Sequence, residues 1–470
     1  MSIAGINRNV GLVAMVGALL CVGLVVAIAP VAAIAVCVVV GLVVVAMYGT
    51  EAFLCLTILV LPVIPPGLYL FGSSAIYPQR LLVGALVGMV VLHPRLWAEH
   101  GSRLGPLTVP IRLFMAFLSV GLLSAVLSPL PSSALLGVAF YGLQLGGVLI
   151  AACMIVRAEH LERYFTAFSL AVIAVALLAV AQYFFPESAL SHILGPVFTH
   201  EALGENGVRA LPIRVSGPLA QPVELGGFAV FSLPFALRAA TCPGYRCATL
   251  GKTAVLMALV SLMLSQSRMA MISVPVLLLI WFVASDRRRG AVAVVAISIA
   301  VLVGIFGIST LSTQRSILAT TIAYRGEQSA ETPRMQSIVG RTSLYQAGWR
   351  AIQTRPLLGF GMRLPTQQAQ SEIFRRFGQT YAFESYWIVL PLEVGVLGVA
   401  VFAAFIASLL LAVHRYCPRA TDRATVYALF AGGTVLAIGS NPLDISVTYL
   451  WLMLGVLLGA SLLARTENSG

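Results

Sequence analysis

Long apolar runs alternate with short polar connections over most of this chain. Each run is long enough to cross about 30 Å of hydrocarbon as a helix of about 20 residues. The runs are continuous and show no two-residue alternation, which disfavours a β-barrel. The pattern predicts an all-α, polytopic transmembrane helix bundle of about 12 to 14 helices. The fourteen candidate helices are 10–28, 31–48, 52–71, 80–93, 110–128, 134–156, 162–184, 222–240, 249–266, 268–284, 290–308, 386–413, 423–440 and 444–463.

The positions of the charged residues along the chain indicate its orientation in the membrane. Only 10% of the 470 residues are charged, the net charge is +12, and Lys252 is the only lysine. A net positive charge is common in proteins that bind nucleic acid, but in a membrane protein basic residues concentrate in cytoplasmic connections. With the N-terminus inside, arginines fall in the cytoplasmic connections and are nearly absent from the short outer ones. We therefore predict a multi-pass protein of the inner (cytoplasmic) membrane with no nucleic-acid partner.

Two long segments, 185–221 and 309–385, are then left on the outer side. The second has nine arginines and four glutamates, and long loops escape the rule that positive charge stays inside. We accordingly divide the chain into an N-terminal transmembrane bundle (1–308), a large extracytoplasmic loop with amphipathic helices (309–385) and C-terminal transmembrane helices (386–470).

Part of the large loop has the pattern of a helix. In GRTSLYQAGWRAIQTRP (340–356), Leu344, Tyr345, Gly348, Trp349 and Ile352 fall on one helical face, and the final proline ends the pattern. This stretch predicts a short amphipathic helix lying on the outer membrane surface.

Three arginines from distant parts of the sequence share the outer side. Arg268 interrupts an apolar run with no acid within fifteen residues, Arg214 precedes another helix, and Arg341 begins the amphipathic helix. Guanidinium suits a bidentate grip on phosphate oxygens and stays charged at any depth. An anionic, lipid-linked phosphate or diphosphate is one partner that fits. The alternative is that each arginine reaches ordinary lipid headgroups.

Two glutamates lie near the start of the helix after the loop. Glu384 either takes a proton from an incoming hydroxyl or is an acid favoured by the helix N-terminus, with Ser385 as the cap. Glu393 lies about two turns deeper, where a free carboxylate is costly. We expect it to pair with an arginine or a backbone group.

Four segments together resemble the O-antigen ligase and Wzy-type O-antigen polymerase superfamily, whose members share a glycosyltransferase-C-like membrane fold. They span about 205–410 in the order that the family shows. The segments are RVSGPLAQPVELGGF, SQSRMAM, GRTSLYQAGWRAIQTRPLLGFGM and ESYWIVLPLEVGVLG. The resemblance implies a membrane glycosyltransferase whose active site faces the periplasm or exterior.

The resemblance also implies roles for individual residues. Arg214, Arg268 and Arg341 match positions that bind the diphosphate of an undecaprenyl-diphosphate-linked glycan. Glu384 takes the place of the group that acts on the acceptor hydroxyl. Ligases typically have histidine then asparagine where this chain has Glu384 and Ser385, which favours a polysaccharide (exopolysaccharide or O-antigen) polymerase over a lipid A core ligase.

The implied transfer joins the donor glycan to an acceptor glycan or glycolipid and needs no metal or other cofactor. Membrane lipid surrounds the protein, and a flippase and a chain-length regulator are the implied protein partners. The alternative is a non-enzymatic transporter or flippase of lipid-linked saccharides, in which we expect charges near the membrane midplane and broken helices in two related halves. The motif order of a peptidoglycan polymerase of the shape, elongation and division type is not found.

Overall fold

A computed structural model describes most of the predicted helical regions. The described residues are 49–64, 78–185, 215–219, 221–242, 244–285, 345–364, 383, 385–439 and 444–469. Within these ranges all regular structure is helical, which confirms the all-α prediction for this part of the chain. The predicted helices 10–28, 31–48 and 290–308, and much of the large loop, lie outside the described residues, so the total of about 12 to 14 helices stays a prediction.

The residues that the structure describes form fourteen α-helices, numbered in chain order. They are α1 Thr50–Val60, α2 Pro78–Leu92, α3 Pro94–His100, α4 Thr108–Val126, α5 Pro131–Tyr141, α6 Val148–Ile155, α7 Leu161–Phe184, α8 Pro222–Ala239, α9 Tyr245–Ser265, α10 Arg268–Ala284, α11 345–354, α12 Tyr386–Tyr416, α13 Ala420–Gly439 and α14 Asp444–Ser469. A π-helix, Gly142–Gly147, joins α5 to α6, and 3-10 turns follow α3 and precede α7.

Several helices have the length and composition of membrane spans. Among the described residues, five are long and apolar enough to cross a bilayer, and they are Leu104–Val126, Pro131–Ile155, Leu161–Phe184, Arg246–Ser265 and Tyr386–Tyr416. Shorter apolar helices occupy Thr50–Val60, Gln79–Leu92, Arg268–Ala284 and Val447–Leu462. The prediction 52–71 was too long, because α1 ends at Val60 and a turn follows just where Pro62 interrupts the apolar run.

The chain divides into two compact units. The first unit comprises Met1–Gly105, Leu143–Gln266 and Leu443–Gly470, and the second comprises Pro106–Gly142 and Ser267–Pro442. In the first unit, α9 packs against α7 and α8, and α14 packs against α6. Gly455 of α14 lies against the Leu149 carbonyl of α6, since a small residue lets two helices approach closely.

A cluster of three ionisable side chains lies at the start of α1 in the first unit. Glu51, in the first turn of α1, accepts from the Arg157 Nε at 2.7 Å through one oxygen and contacts the His160 Nδ1 through the other. We call these three residues the Glu51 cluster. It ties the connection between α6 and α7 to the start of α1.

The second unit contains α4, α5 and α10 to α13. Helix α12 packs along α4, with Phe117 and Phe402 ring centroids 5.1 Å apart. Helix α10 packs along α13, and the Trp281 indole N–H near the end of α10 donates to the Thr425 hydroxyl near the start of α13 at 3.3 Å. This contact makes α10 and α13 antiparallel.

Candidate functional site

Two hydroxyl groups from separate segments meet at the end of α13. The Ser385 hydroxyl donates to the Ile438 carbonyl oxygen at 2.8 Å, and the Tyr345 hydroxyl donates to the same oxygen at 3.4 Å. Carbonyls in the last turn of a helix have no partner within that helix and are open to such donors. The contact places the start of α11 beside the start of α12.

Ser385 is the N-cap residue of α12, as expected, but its side chain does not cap the helix. The hydroxyl turns to α13, where it bonds Ile438 and approaches the Ala437 carbonyl oxygen at 3.4 Å. Ser385 therefore joins two helices at this end of the unit.

Arg268 lies at the same level of the second unit. It is the first residue of α10 and is exposed. Arg268 precedes Trp281 by as many residues as Ile438 follows Thr425, and both helices rise about 1.5 Å per residue. Because α10 and α13 are antiparallel, Arg268 begins α10 level with Ile438. The two helices are joined by a connection of two residues, since α9 ends at Ser265 and α10 begins at Arg268.

The other predicted site residues, Arg214, Arg341 and Glu384, lie outside the described residues. The residue after Arg214 is Val215, whose N–H donates to the Leu264 carbonyl oxygen in the last turn of α9 at 3.2 Å. The assignment of all three to the site stays a prediction.

Helix α11 confirms a helix within 340–356, and its two faces differ in burial. Ala347, Gly348 and Ala351 are buried, whereas Tyr345 and Trp349 are 41% and 62% exposed. The small side chains let α11 approach α12, where Gly348 lies against Ile388. The buried face belongs to an apolar cluster of Ala351, Ile352, Phe360, Phe383, Val389 and Leu392.

Helix α12 is broken at Gly395. Its φ of 65° and ψ of −174° are not helical. An unbroken helix would join the Val396 N–H to the Leu392 carbonyl and the Leu397 N–H to the Glu393 carbonyl. Both bonds are missing, and four backbone groups are freed inside an apolar helix.

Residues 356–364, which we call the strap, satisfy all four freed groups. The Phe360 N–H donates to the Leu392 carbonyl oxygen at 2.7 Å, and the Gly361 N–H donates to the Glu393 carbonyl oxygen at 3.0 Å. In return, the Val396 N–H donates to the Pro356 carbonyl oxygen at 2.8 Å, and the Leu397 N–H donates to that of Leu357 at 3.3 Å. Each of these two helical bonds is thereby replaced at both its ends, as an apolar surrounding requires.

The Glu393 side chain fixes the strap from a second direction. One carboxylate oxygen accepts from the Arg363 backbone N–H at 2.7 Å, and the other accepts from the Tyr141 hydroxyl of α5 at 2.7 Å. The Ser124 hydroxyl of α4 donates to the Glu393 carbonyl oxygen at 2.9 Å. We call Glu393, Tyr141, Arg363 and Ser124 the Glu393 cluster. The predicted pairing of Glu393 with a backbone group is confirmed.

Two further contacts seat the strap in the second unit. The Arg363 guanidinium lies 4.7 Å from the centroid of the Phe140 ring, within range of a cation–π contact. Arg355, just before the strap, donates to the Leu127 carbonyl oxygen at the end of α4 at 2.8 Å. A cation is favoured at a helix C-terminus.

Sequence reasoning missed the strap, the break and Tyr141. Two signals were present: glycines in RPLLGFGMR, and Pro391 with Gly395 in LPLEVGVLG. Gly359 and Gly361 have φ values of 68° and 118°, which side chains other than glycine rarely adopt.

Comparison with known proteins identifies the region that carries these features. A family model described as O-antigen ligase matches residues 253–403. An O-antigen ligase domain is therefore found in this part of the chain, and the resemblance drawn from the motifs is confirmed over these residues. The domain supports a bacterial membrane enzyme of the ligase or polymerase type acting on lipid-linked glycans. No curated protein matches the chain.

Proposed function

We propose that this protein transfers or polymerises glycan repeat units from an undecaprenyl-diphosphate donor onto an acceptor sugar hydroxyl at the outer face of the inner membrane. The observation that carries the proposal is the meeting of Tyr345 and Ser385 on the Ile438 carbonyl, level with Arg268. Tyr345 follows Arg341 by four residues, and Ser385 directly follows Glu384. Tyr345 and Ser385, which are close in sequence to Arg341 and Glu384, thus meet at the end of the second unit where Arg268 lies.

The chemistry needs two kinds of group. The arginines Arg214, Arg268 and Arg341 hold the donor diphosphate and stabilise the negative charge that develops as it leaves. Glu384 accepts the proton of the acceptor hydroxyl. The acceptor oxygen bonds to the anomeric carbon, the bond from that carbon to the phosphate oxygen breaks, and undecaprenyl diphosphate departs with the electron pair.

Polymerisation is favoured over transfer to lipid A core. Glu384 and Ser385 stand where ligases typically have histidine and asparagine. A carboxylate also serves as a general base, so the change alters the surroundings of the acceptor and preserves the class of chemistry. The Ser385 hydroxyl is engaged by Ile438, which leaves Glu384 as the polar group of this pair proposed to meet an acceptor.

The second candidate function is a transporter of lipid-linked saccharides, and the break in α12 is the observation that favours it. Transporters use broken helices whose freed backbone groups line a substrate site. Here the strap bonds the groups freed at Gly395, and Glu393 is 1% exposed. Because these backbone groups are bonded within the protein, they are not available to a substrate, which supports the enzyme over the transporter.

The test is complementation of a strain in which the gene has been deleted, followed by gel analysis of surface glycans. Arg268→Ala and Glu384→Gln should each fail to restore wild-type glycans, because one preorganised charge-stabilising donor is worth about 10²-fold to 10³-fold in rate. Arg415→Ala is the matched control, since Arg415 is an exposed arginine of the same unit. It lies in the last turn of α12, at the opposite end of α13 from Ile438.

The pattern of the lost glycan separates the activities. Loss of long chains with single repeat units still attached indicates a polymerase, and complete loss of attachment indicates a ligase. Purified protein mixed with donor and acceptor must also form the product in detergent, where a transporter has no role. If Arg268→Ala and Glu384→Gln both restore wild-type glycans, the site assignment is wrong.

A further inference from the structure

The strap lies in the sequence between two parts of the large loop that have roles in the proposed function. These parts are α11, which follows Arg341, and the residues Glu384 and Ser385 before α12. The strap follows α11 directly and is bonded into the gap of α12. The described part of α11 starts with Tyr345, and α12 begins after Ser385; both side chains bond Ile438. Any shift of the strap along α12 moves Tyr345 relative to Ser385.

Glu393 is the residue on which most of the bonds of this arrangement converge. Its carbonyl accepts from the strap at Gly361 and from α4 at Ser124. Its carboxylate accepts from the strap at Arg363 and from α5 at Tyr141. One side chain thereby holds the strap, α5 and the broken helix in register.

We propose that Glu393 is a positioning residue for the transfer reaction: its carboxylate locks the strap into the break of α12 and so fixes α11 against the start of α12. This inference rests on the proposed function for its catalytic consequence. Glu393 is buried and acts through the strap, without touching the substrate. A displacement of about 1 Å at a remote position can cost about 10²-fold in rate.

The lock that we propose works through hydrogen bonds. Two of the bonds that the carboxylate accepts come from neutral donors, a backbone N–H and a phenol hydroxyl. A glutamine at 393 can keep both contacts, since its carbonyl oxygen accepts from Arg363 and its amide N–H₂ donates to the Tyr141 oxygen. An alanine can keep neither. Glu393→Gln and Glu393→Ala therefore separate a lock from a charge-dependent proton acceptor.

The state of the strap can be measured without any activity assay. Trypsin cuts after arginine, but the Arg355–Pro356 bond resists it because proline follows. The first cuttable bond of the strap is Arg363–Leu364, next to the N–H that Glu393 binds. Mass spectrometry of limited digests in nanodiscs then reports the rate of cleavage at that bond.

The experiment compares four proteins: wild type, Glu393→Gln, Glu393→Ala and the control Trp281→Phe. The control removes the buried hydrogen bond to Thr425 in the same unit and leaves the strap untouched. Glu393→Ala should be cut after Arg363 at least about tenfold faster. Its kcat should fall by about 10²-fold with the KM for the donor within about twofold, as for misplaced reacting groups. Glu393→Gln and Trp281→Phe should match wild type in cleavage, and their kcat should stay within about threefold, since Glu393→Gln can keep both carboxylate contacts and Trp281→Phe changes neither.

Each departure from this result overturns the proposal. If Glu393→Ala is cut no faster than wild type, the carboxylate does not lock the strap. If it is cut faster with unchanged kcat, the lock does not position the reaction. If Glu393→Gln loses activity while its strap stays protected, the charge is what matters. Should Glu393→Ala not fold, Tyr141→Phe removes one of the two contacts and must speed the cleavage. An inactive wild-type protein would refute the proposed function, whereas the cleavage rates would still test the lock.

Discussion

The two units place a carboxylate in contrasting surroundings. In the Glu51 cluster, the side chain is 21% exposed and faces an arginine that is 54% exposed, so water shares the cost of both charges. In the Glu393 cluster, the carboxylate is buried and accepts hydrogen bonds from a phenol and a backbone N–H. A carboxylate at a helix end needs only a partner of opposite charge nearby. One inside an apolar helix requires donors that are held in place by the surrounding fold.

The same contrast applies to the backbone. The Glu51 cluster sits where α1 begins, at an end where free backbone groups are expected. The Glu393 cluster sits beside Gly395, where the freed groups lie in the middle of a helix and are bonded by the strap. We therefore expect substitutions in the second unit to be costly and substitutions in the Glu51 cluster to be mild.

The largest effect is expected at the break itself. A Cβ on Gly395 would overlap the Leu357 carbonyl group, and a side chain at φ 65° is strained in addition. Gly395→Ala should lower the stability of the second unit by more than about 3 kcal/mol, from strain and overlap together. The measurement is the thermal unfolding midpoint in nanodiscs, together with the yield of folded protein.

The matched control for that substitution is Gly88→Ala in α2. A Cβ there meets no atom within 4 Å, and alanine is a better helix former than glycine by about 1 kcal/mol. We expect Gly88→Ala to be neutral or slightly stabilising. Equal midpoints for the two variants would show that the strap is not bound tightly at the break.

A smaller loss is expected for Tyr141→Phe. This change removes the hydroxyl that donates to Glu393 and keeps the ring that packs at 6.1 Å from Phe117. Leaving a buried acceptor without that donor costs about 1 to 3 kcal/mol. The unfolding midpoint should fall less than for Gly395→Ala. A midpoint equal to wild type would mean that the Arg363 N–H alone satisfies the carboxylate.

The smallest effect is expected in the Glu51 cluster. Arg157→Ala removes an ion pair whose arginine is more than half exposed, so it should cost no more than about 1 kcal/mol. Raising the salt from 0.15 M to 1 M shortens the Debye length to about 3 Å. The difference between Arg157→Ala and wild type should then shrink, whereas the cost of Tyr141→Phe should hold. If the stability costs of Arg157→Ala and Tyr141→Phe changed with salt to the same extent, the contrast between the clusters would be wrong.

The parts of the fold that sequence predicted well are those set by local pattern. The turn before Arg268 was predicted because polar residues and a charge interrupt an apolar run, and α9 and α10 end and begin there. The end of α11 followed from Pro356. Its packing on α12 was not predicted, because glycine and alanine make the close contact there and hydropathy gives little weight to such small residues.

The parts that escaped prediction depend on distant partners. The apolar pattern continues through Gly395, and nothing local reveals that its neighbours bond a segment more than thirty residues earlier. The partners of Glu393 come from α5 and the strap, so only the need for some partner could be inferred. Of the predicted site residues, Arg268 lies among the described residues, at the level where Tyr345 and Ser385 meet.

The break in α12 has a consequence for the making of the protein. The strap precedes α12 in the chain, so it is synthesised before the helix it interrupts. Without the strap in place, Val396 and Leu397 can return their N–H groups to Leu392 and Glu393, and the 31-residue segment can insert as one continuous helix with its own bonds satisfied. Docking of the strap then exchanges two hydrogen bonds within the helix for four between segments, after the membrane has already been crossed. The second unit can thus acquire its interrupted span by rearrangement of a helix in which Val396 and Leu397 had already bonded Leu392 and Glu393.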